Sequence, residues 1–394
     1  MKTSRFALFA IFLTVTLDMA GIGLVLPVLP DLFGATKSGA AAGQSTGMAY
    51  GLFLSLYALM QFLCAPLLGG WSDRIGRKPV LTLSLIGAAL NYAVMACLPP
   101  LWVLFVARAI AGVTGANMSV AQAYLTDITA PEDRARRFGQ LNACMGIGFI
   151  LGPAAGGLLR EFGLMWPFAL AAVLTVINLL LCLFVLPESR AAKPGTEKLN
   201  PLAPLTSLTA FKGIGALLVA GGLFAIIGEI GGSVWVLYVE QRYGWQGISV
   251  GLSLTLFGLF HALAQAFLVG PMTGRLSERG ALLTGVFADM ACYVALGLVT
   301  RGDYIWMLIP LLSVGGIAPS ILMSVITKQV SEDRQGQLQG VIASLQSLAA
   351  IIGPVLLLNI YFLSRDTFPG LVWIIGAVLY LPMLPIVMRR SLYK

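Results

Sequence analysis

The sequence predicts an all-α integral membrane protein, with twelve transmembrane helices in two six-helix bundles related by a parallel repeat. Three observations predict it. The chain is 58% hydrophobic and only 11% charged, where a soluble domain carries about 25% charge. Its apolar runs are long enough to cross a bilayer and are separated by short polar turns. The chain also repeats itself in the same orientation. Glu132-Asp133-Arg134, followed by Gly152-Pro153, returns as Glu332-Asp333-Arg334, followed by Gly353-Pro354. A second pair, GGWSDRIGRK at Gly69–Lys78 and GPMTGRLSER at Gly270–Arg279, has nearly the same offset. Two equal apolar halves of this kind describe a parallel-repeat transporter.

A bilayer core needs about 20 apolar residues per helix. That window gives spans near 6–33, 47–69, 79–98, 100–125, 137–161 and 166–187 in the first half. In the second half it gives 212–239, 247–271, 280–299, 304–327, 336–362 and 368–388. The first run follows Lys2 and Arg5, as a secretory signal would, but Asp18 interrupts it and it continues to Pro30, so it reads as a membrane helix. The segment 188–211, rich in Pro, Lys and Glu, is the one long polar connection. The expected organisation is therefore a bundle at 1–187, a cytoplasmic linker at 188–211 and a bundle at 212–394.

Lysine and arginine placement orients the spans. With both termini in the cytoplasm, Lys37, Arg160, Arg242, Arg301 and Arg365 are the only basic residues outside, and Arg108 alone remains in the membrane. The net charge of +8 is then an insertion signal rather than a nucleic-acid footprint. Cys64, Cys97, Cys144, Cys182 and Cys292 form no CxxC pair and read as small buried hydrophobes. His261 is the single histidine, which excludes a multi-histidine metal site. No phosphate-binding loop and no nucleophile–base arrangement is present, so the chain does not read as an enzyme and implies no cofactor.

A charge at a helix centre costs about 2.5–3.5 kcal/mol on insertion scales, so charges that stay there are candidates for function. Here they are Asp18, Arg108, Glu229 and Asp289, with Asp127 near the end of the fourth span and His261 as a further titratable group. A carboxyl held out of water is the simplest proton carrier, because burial disfavours its charged form. Asp18, Asp289 and Glu229 are the expected proton-coupling carboxyls, and Arg108 can tune a neighbour. The alternative for Arg108 is a structural counter-ion, and for His261 a hydrogen-bonding group lining a cavity. The fifth span carries Gly139, Gly148, Gly152, Pro153, Gly156 and Gly157. Small residues allow close helix approach and proline bends the rod, so Gly152 and Pro153 are expected to serve gating, with plain close packing as the alternative.

GGWSDRIGRKPVL between spans two and three resembles the loop signature of the major facilitator superfamily. ARAIAGVTGA around Arg108 resembles its span-four signature, and the glycine pattern of span five that of proton-driven drug antiporters. LDMAGIGLVLPVLPDL, SLYALMQFLCAPLLG, VWVLYVEQRYGW, GLFHALAQAF, GVFADM and EDRQGQLQG extend the resemblance along nearly the whole chain to Gram-negative tetracycline-efflux proteins. The resemblance implies efflux of a divalent-metal–tetracycline chelate across the bacterial inner membrane in exchange for a proton. It implies a chain that works as a monomer, with any Mg2+ belonging to the cargo. It matches Asp18 to the essential aspartate of span one, Asp289 to the aspartate of span nine, Gln61 and Arg108 to a glutamine of span two and the arginine of span four, and His261 and Gln265 to a span-eight pair. Asp73, Arg74 and Arg77 match the charged loop that latches the inner gate. Asp73 aligns with Gly274 in the second half, so the latch is expected to depend on the first-half loop.

Three departures bear on cargo. Asn91-Tyr92 stands where the family has an aspartate before the tyrosine, Glu229 stands near the position where the family has a neutral glutamine, and Asn117-Met118-Ser119 replaces the family's run of smaller residues. Gln61, Asn91, Asn117, His261 and Gln265 are the expected cargo contacts. Alternatives left open are export of another amphipathic drug or metabolite in multidrug fashion, proton-coupled uptake, and a membrane sensor that has lost transport.

Overall fold

A computed structural model describes residues 5–34, 44–189, 211, 213–331 and 334–389. Most of the expected linker at 188–211 lies outside the described residues, as do Glu332 and Asp333 of the second repeat motif. Among the described residues, eleven helices are long and apolar enough to cross a membrane, and a shorter apolar stretch, Leu371–Val387, follows them. The chain is a multi-pass membrane protein.

The helices are α1 (Arg5–Val25), α2 (Gln44–Ile75), α3 (Arg77–Ala96), α4 (Leu101–Val113), α5 (Asn117–Ile128), α6 (Arg134–Arg160) and α7 (Met165–Phe184). The second set is α8 (Gly215–Tyr243), α9 (Gly247–Phe267), α10 (Val269–Leu298), α11 (Asp303–Gly315), α12 (Ala318–Lys328), α13 (Gln335–Ser364), α14 (Leu371–Leu379) and α15 (Leu384–Val387). The fourth span is two helices, α4 and α5, separated at Thr114-Gly115-Ala116, and the tenth is likewise α11 and α12, separated at Gly316-Ile317. The first helix ends at Val25, earlier than its apolar run, because Pro27 and Pro30 follow and proline cannot continue the hydrogen-bond ladder. The twelfth is interrupted by a 3-10 turn at Leu381–Met383, where Pro382 and Pro385 act in the same way.

The chain forms two compact units. The first takes the described residues within Met1–Phe33, Leu56–Pro201 and Gln246–Thr255. The second takes those within Gly34–Ser55, Leu202–Trp245 and Leu256–Lys394. The opening of α2 is thus grouped with the second unit and the opening of α9 with the first.

In the first unit an aliphatic core, including Ile11, Leu81, Leu85, Leu125 and Leu141, is sealed by Tyr124. The Tyr124 hydroxyl donates to the Pro187 carbonyl at 2.8 Å. α6 lies directly on α1. Gly148, Gly152 and Gly156 recur every fourth residue and face the backbone of Thr16, Ala20 and Leu24. A Cβ at Gly152 would sit 2.7 Å from the Ala20 carbonyl oxygen and 2.7 Å from Gly23 Cα, so only glycine permits this approach. Gly157 faces Gly247 and Gly251 at the opening of α9.

In the second unit the core is aromatic. Trp373 meets Trp235, Tyr238 and Tyr293 edge-on at 5.4–5.8 Å between ring centres. The tyrosines of this cluster find acceptors, as hydroxyls out of water require. Tyr293 donates to the Ile227 carbonyl (3.1 Å) and Tyr361 to Gln241 (2.9 Å).

Candidate functional site

Every backbone polar group in a bilayer must be satisfied inside the protein, so a broken helix there needs outside partners. Both units supply a glutamine. Gln61 Nε2 on α2 donates to the Gly115 carbonyl at the α4–α5 break, at 2.9 Å. Gln265 Nε2 on α9 donates to the Gly316 carbonyl at the α11–α12 break, at 3.1 Å. One turn before each glutamine stands a ring, Tyr57 in one unit and His261 in the other. Gly115 leaves room for the Tyr57 hydroxyl, and Gly316 for His261, whose Nδ1 would be 2.6 Å from a Cβ there. The two halves thus build the same cradle around the same kind of break.

Each cradle is accompanied by an aspartate, but the two are held differently. In the first unit Asn117, the first residue of α5, donates from Nδ2 to Asp18 Oδ1 at 2.8 Å. Arg108 on α4 lies over the Tyr57 ring, with Cζ 4.4 Å from its centre. The Tyr57 phenol is within electrostatic reach of both Asp18 and Arg108. Asp18, Asn117, Gln61 and Arg108, chosen from separate stretches of sequence, are therefore neighbours.

In the second unit Asp289 on α10 is 8% exposed. Its Oδ2 accepts from the Tyr380 hydroxyl at 2.6 Å. Its Oδ1 is buried without a hydrogen-bond partner and lies against Gly315, where a Cβ would collide with it. Gly315 and Gly316 together therefore seat Asp289 and His261 beside one break.

Glu229 stands apart from this pairing. It is at the middle of α8 and lines a cavity of about 350 Å³ within the second unit. Asn91, expected to face cargo, is instead 2% exposed, with Nδ2 set 3.9 Å from Met95 Sδ on its own helix. The burial has a simple cause: α3 packs against both α7 and α4, and Asn91 is among its buried positions.

The expected gating loop is a network centred on Arg77, whose side chain is 7% exposed. Its guanidinium contacts Asp73 Oδ1 (2.8 Å), Asp127 Oδ2 (2.9 Å) and Ser72 Oγ (2.6 Å). The Glu188 carboxylate accepts the backbone N–H groups of Arg77 (2.8 Å) and Lys78 (3.1 Å), capping the start of α3. Gly76, at φ 106°, makes the sharp entry possible. Arg74 is half-buried in the last turn of α2. Gly152 and Pro153 lie in the α1–α6 seam, where a Cβ on Gly23 would come 2.8 Å from Pro153 Cδ.

Tyr57, Tyr380, Gly315, Gly316 and Glu188 were not singled out by sequence reasoning. The repeat held a signal for Tyr57, since it precedes Gln61 by the interval that separates His261 from Gln265. Tyr380 and Glu188 are distant in sequence from the groups they bind, and no local pattern marks them.

The family model described as Major Facilitator Superfamily matches residues 8–354. The chain belongs to the Major Facilitator Superfamily. This superfamily chain is 46% identical over 397 aligned positions to an Escherichia coli protein named "Tetracycline resistance protein, class C", covering 99% of this chain and 98% of that one. It is 42% identical to the class G tetracycline resistance protein of Vibrio anguillarum, with 96% of each covered. The solved nucleoside transporter NupG shares the fold at a TM-score of 0.77 and 16% identity, with 99% of this chain and 100% of that chain covered. As a member of a transporter family, this chain is not an enzyme.

Proposed function

We propose that this protein exports tetracycline, carried as a divalent-metal chelate such as that of Mg2+, across the bacterial inner membrane in exchange for a proton. Both termini face the cytoplasm and the chain works as a monomer. The relatives named as tetracycline resistance proteins support the cargo. The observation that carries the coupling is that each unit contains a carboxyl beside a broken span, Asp18 next to α5 and Asp289 next to Gly315.

In this reading Asp18 and Asp289 exchange a proton for the positive charge of the cargo, and Arg108 keeps the first exchange in balance. Gln61, Asn117, His261 and Gln265 orient the cargo. Gly152 and Pro153 let α6 rock on α1, and the Arg77 network latches the cytoplasmic side with Asp73 and Arg74. Cargo and proton need only bind the alternating states differently to drive the cycle.

Everted membrane vesicles energised to acidify their interior test the proposal. Adding Mg2+ and tetracycline should release interior protons and load the drug. Asp18→Asn should lower that coupled flux on the order of 100-fold, the usual scale for losing a proton-transfer group. Wild-type flux in Asp18→Asn would remove this residue from the cycle, and no response in the unmodified protein would reject the cargo.

A further inference from the structure

Glu229 is used by neither cradle. It lies at the midpoint of α8, where a lone carboxylate is expensive to keep. Among the described residues no side chain pairs with it: the bond made there is from Ser233 Oγ to the Glu229 backbone carbonyl, at 2.6 Å. The carboxylate belongs to the wall of a cavity of about 350 Å³, within the size range of small-ligand sites.

The rest of that wall is apolar or neutral. Phe224 and Gly228 come from α8, Leu322 and Met323 from α12, and Ile342 and Gln346 from α13. Among the described residues Gln346 is the one other strongly polar side chain of the wall, and no positive charge lines the hollow. The wall is also built to leave space. A Cβ at Gly228 would meet nothing within 4 Å, and one at Gly221 would meet only Ile326 Cδ1 at 3.9 Å. Gly353 of α13 accommodates the Glu229 stem, since a Cβ there would be 2.9 Å from both Cβ and Cγ of Glu229. Met323 adds an adaptable, polarisable surface.

A single unpaired anion in an apolar, ring-bearing hollow is complementary to one kind of molecule. We propose that this cavity is a binding site for an amphipathic organic cation, with Glu229 as its counter-ion and Phe224 and Met323 as its apolar contacts. A quaternary or protonated tertiary ammonium on an aromatic body has the required chemistry: its charge replaces the partner that the protein withholds, and its rings displace water from the wall. The site goes beyond the tetracycline reading and requires neither metal nor proton gradient.

Binding, rather than transport, tests it. The probe is phenyltrimethylammonium, a permanent cation with one ring and no metal-chelating oxygen, titrated calorimetrically into the full chain in lipid nanodiscs. The unmodified protein should bind it saturably. Glu229→Gln should weaken binding at least tenfold, while Glu229→Asp, which keeps the charge, should weaken it by only a few-fold. Gly228→Leu leaves the carboxylate in place but fills the hollow, and should also cost tenfold or more. No saturable binding to the unmodified protein, or unchanged binding in either Glu229→Gln or Gly228→Leu, would overturn the proposal. Because the probe cannot chelate metal, a failure here is separable from a failure of Mg2+–tetracycline export in vesicles.

Discussion

The first unit ties the start of α3 to the end of α5 with Arg77 on Asp127, while the second ties the matching part of α10 to the end of α12 with Glu278 on Lys328. The positions correspond through the repeat and the charges are reversed. The backbone is alike as well. Gly76 turns at φ 106°, and Ser277, its counterpart, turns at φ 64°. The repeat has therefore kept a bend and a cross-link at this corner while letting the sign of the link invert. The two links differ in depth. Arg77 is 7% exposed and has three side-chain partners, whereas Lys328 is 61% exposed and Glu278 28%. An enclosed cation holding several acceptors is structural in a way that a solvated pair is not.

The largest expected effect breaks this comparison at its buried side. Arg77→Leu leaves Asp73 and Asp127 without their common cation and should cost about 3 kcal/mol. Lys328→Ala should cost about 0.5 kcal/mol, as exposed pairs do. Thermal unfolding of the purified variants reads both, and equal losses would show the corners to be equivalent after all.

A second contrast concerns the paired glycines of the repeat. Gly152→Ala drives a methyl group into the backbone of Ala20 and Gly23, which cannot yield without moving α1. It should destabilise by about 1–3 kcal/mol. Gly353→Ala meets Cβ and Cγ of Glu229 at 2.9 Å rather than backbone atoms at 2.7 Å. Cγ can turn away about χ1, although Cβ moves only with α8, so the loss should be somewhat smaller. A melting-temperature difference in the opposite order would mean that α8 and α13 are held more rigidly than α1 and α6.

The smallest effect has the opposite sign. Ser277, at φ 64° and ψ 164°, occupies a region that suits glycine almost alone. Ser277→Gly should raise stability by about 1 kcal/mol, visible as a higher unfolding midpoint. No gain would mean that the Ser277 hydroxyl, 3.4 Å from the Gly280 N–H, offsets the strain.

Most of the architecture was legible because hydropathy reports the solvent directly. Span positions followed from apolar runs, and prolines account for the early end at Val25 and the broken final helix. Val269–Leu298 holds two helical stretches that meet at the non-helical turn at Ser277, so the ninth span runs from that turn, close to the expected start near residue 280. The intramembrane charges were likewise legible, since each is costly and so conspicuous. Their partners were not. Tyr380 is 91 residues from Asp289, and Glu188 is 111 from Arg77, so these bonds exist only once the chain has returned on itself. Asn91 illustrates the converse: its letter suggested a polar wall, while the packing of α3 buries it.

The interruption of the fourth span has a consequence for how this protein can change. The amino end of α5 presents roughly half a unit of positive charge, and Asn117 places Asp18 beside it. That field comes from peptide groups common to every residue, so side-chain replacement leaves it standing. Selection for new drugs can rewrite the surrounding chemistry letter by letter while an electrostatic anchor, written in the main chain, passes unaltered from one variant to the next.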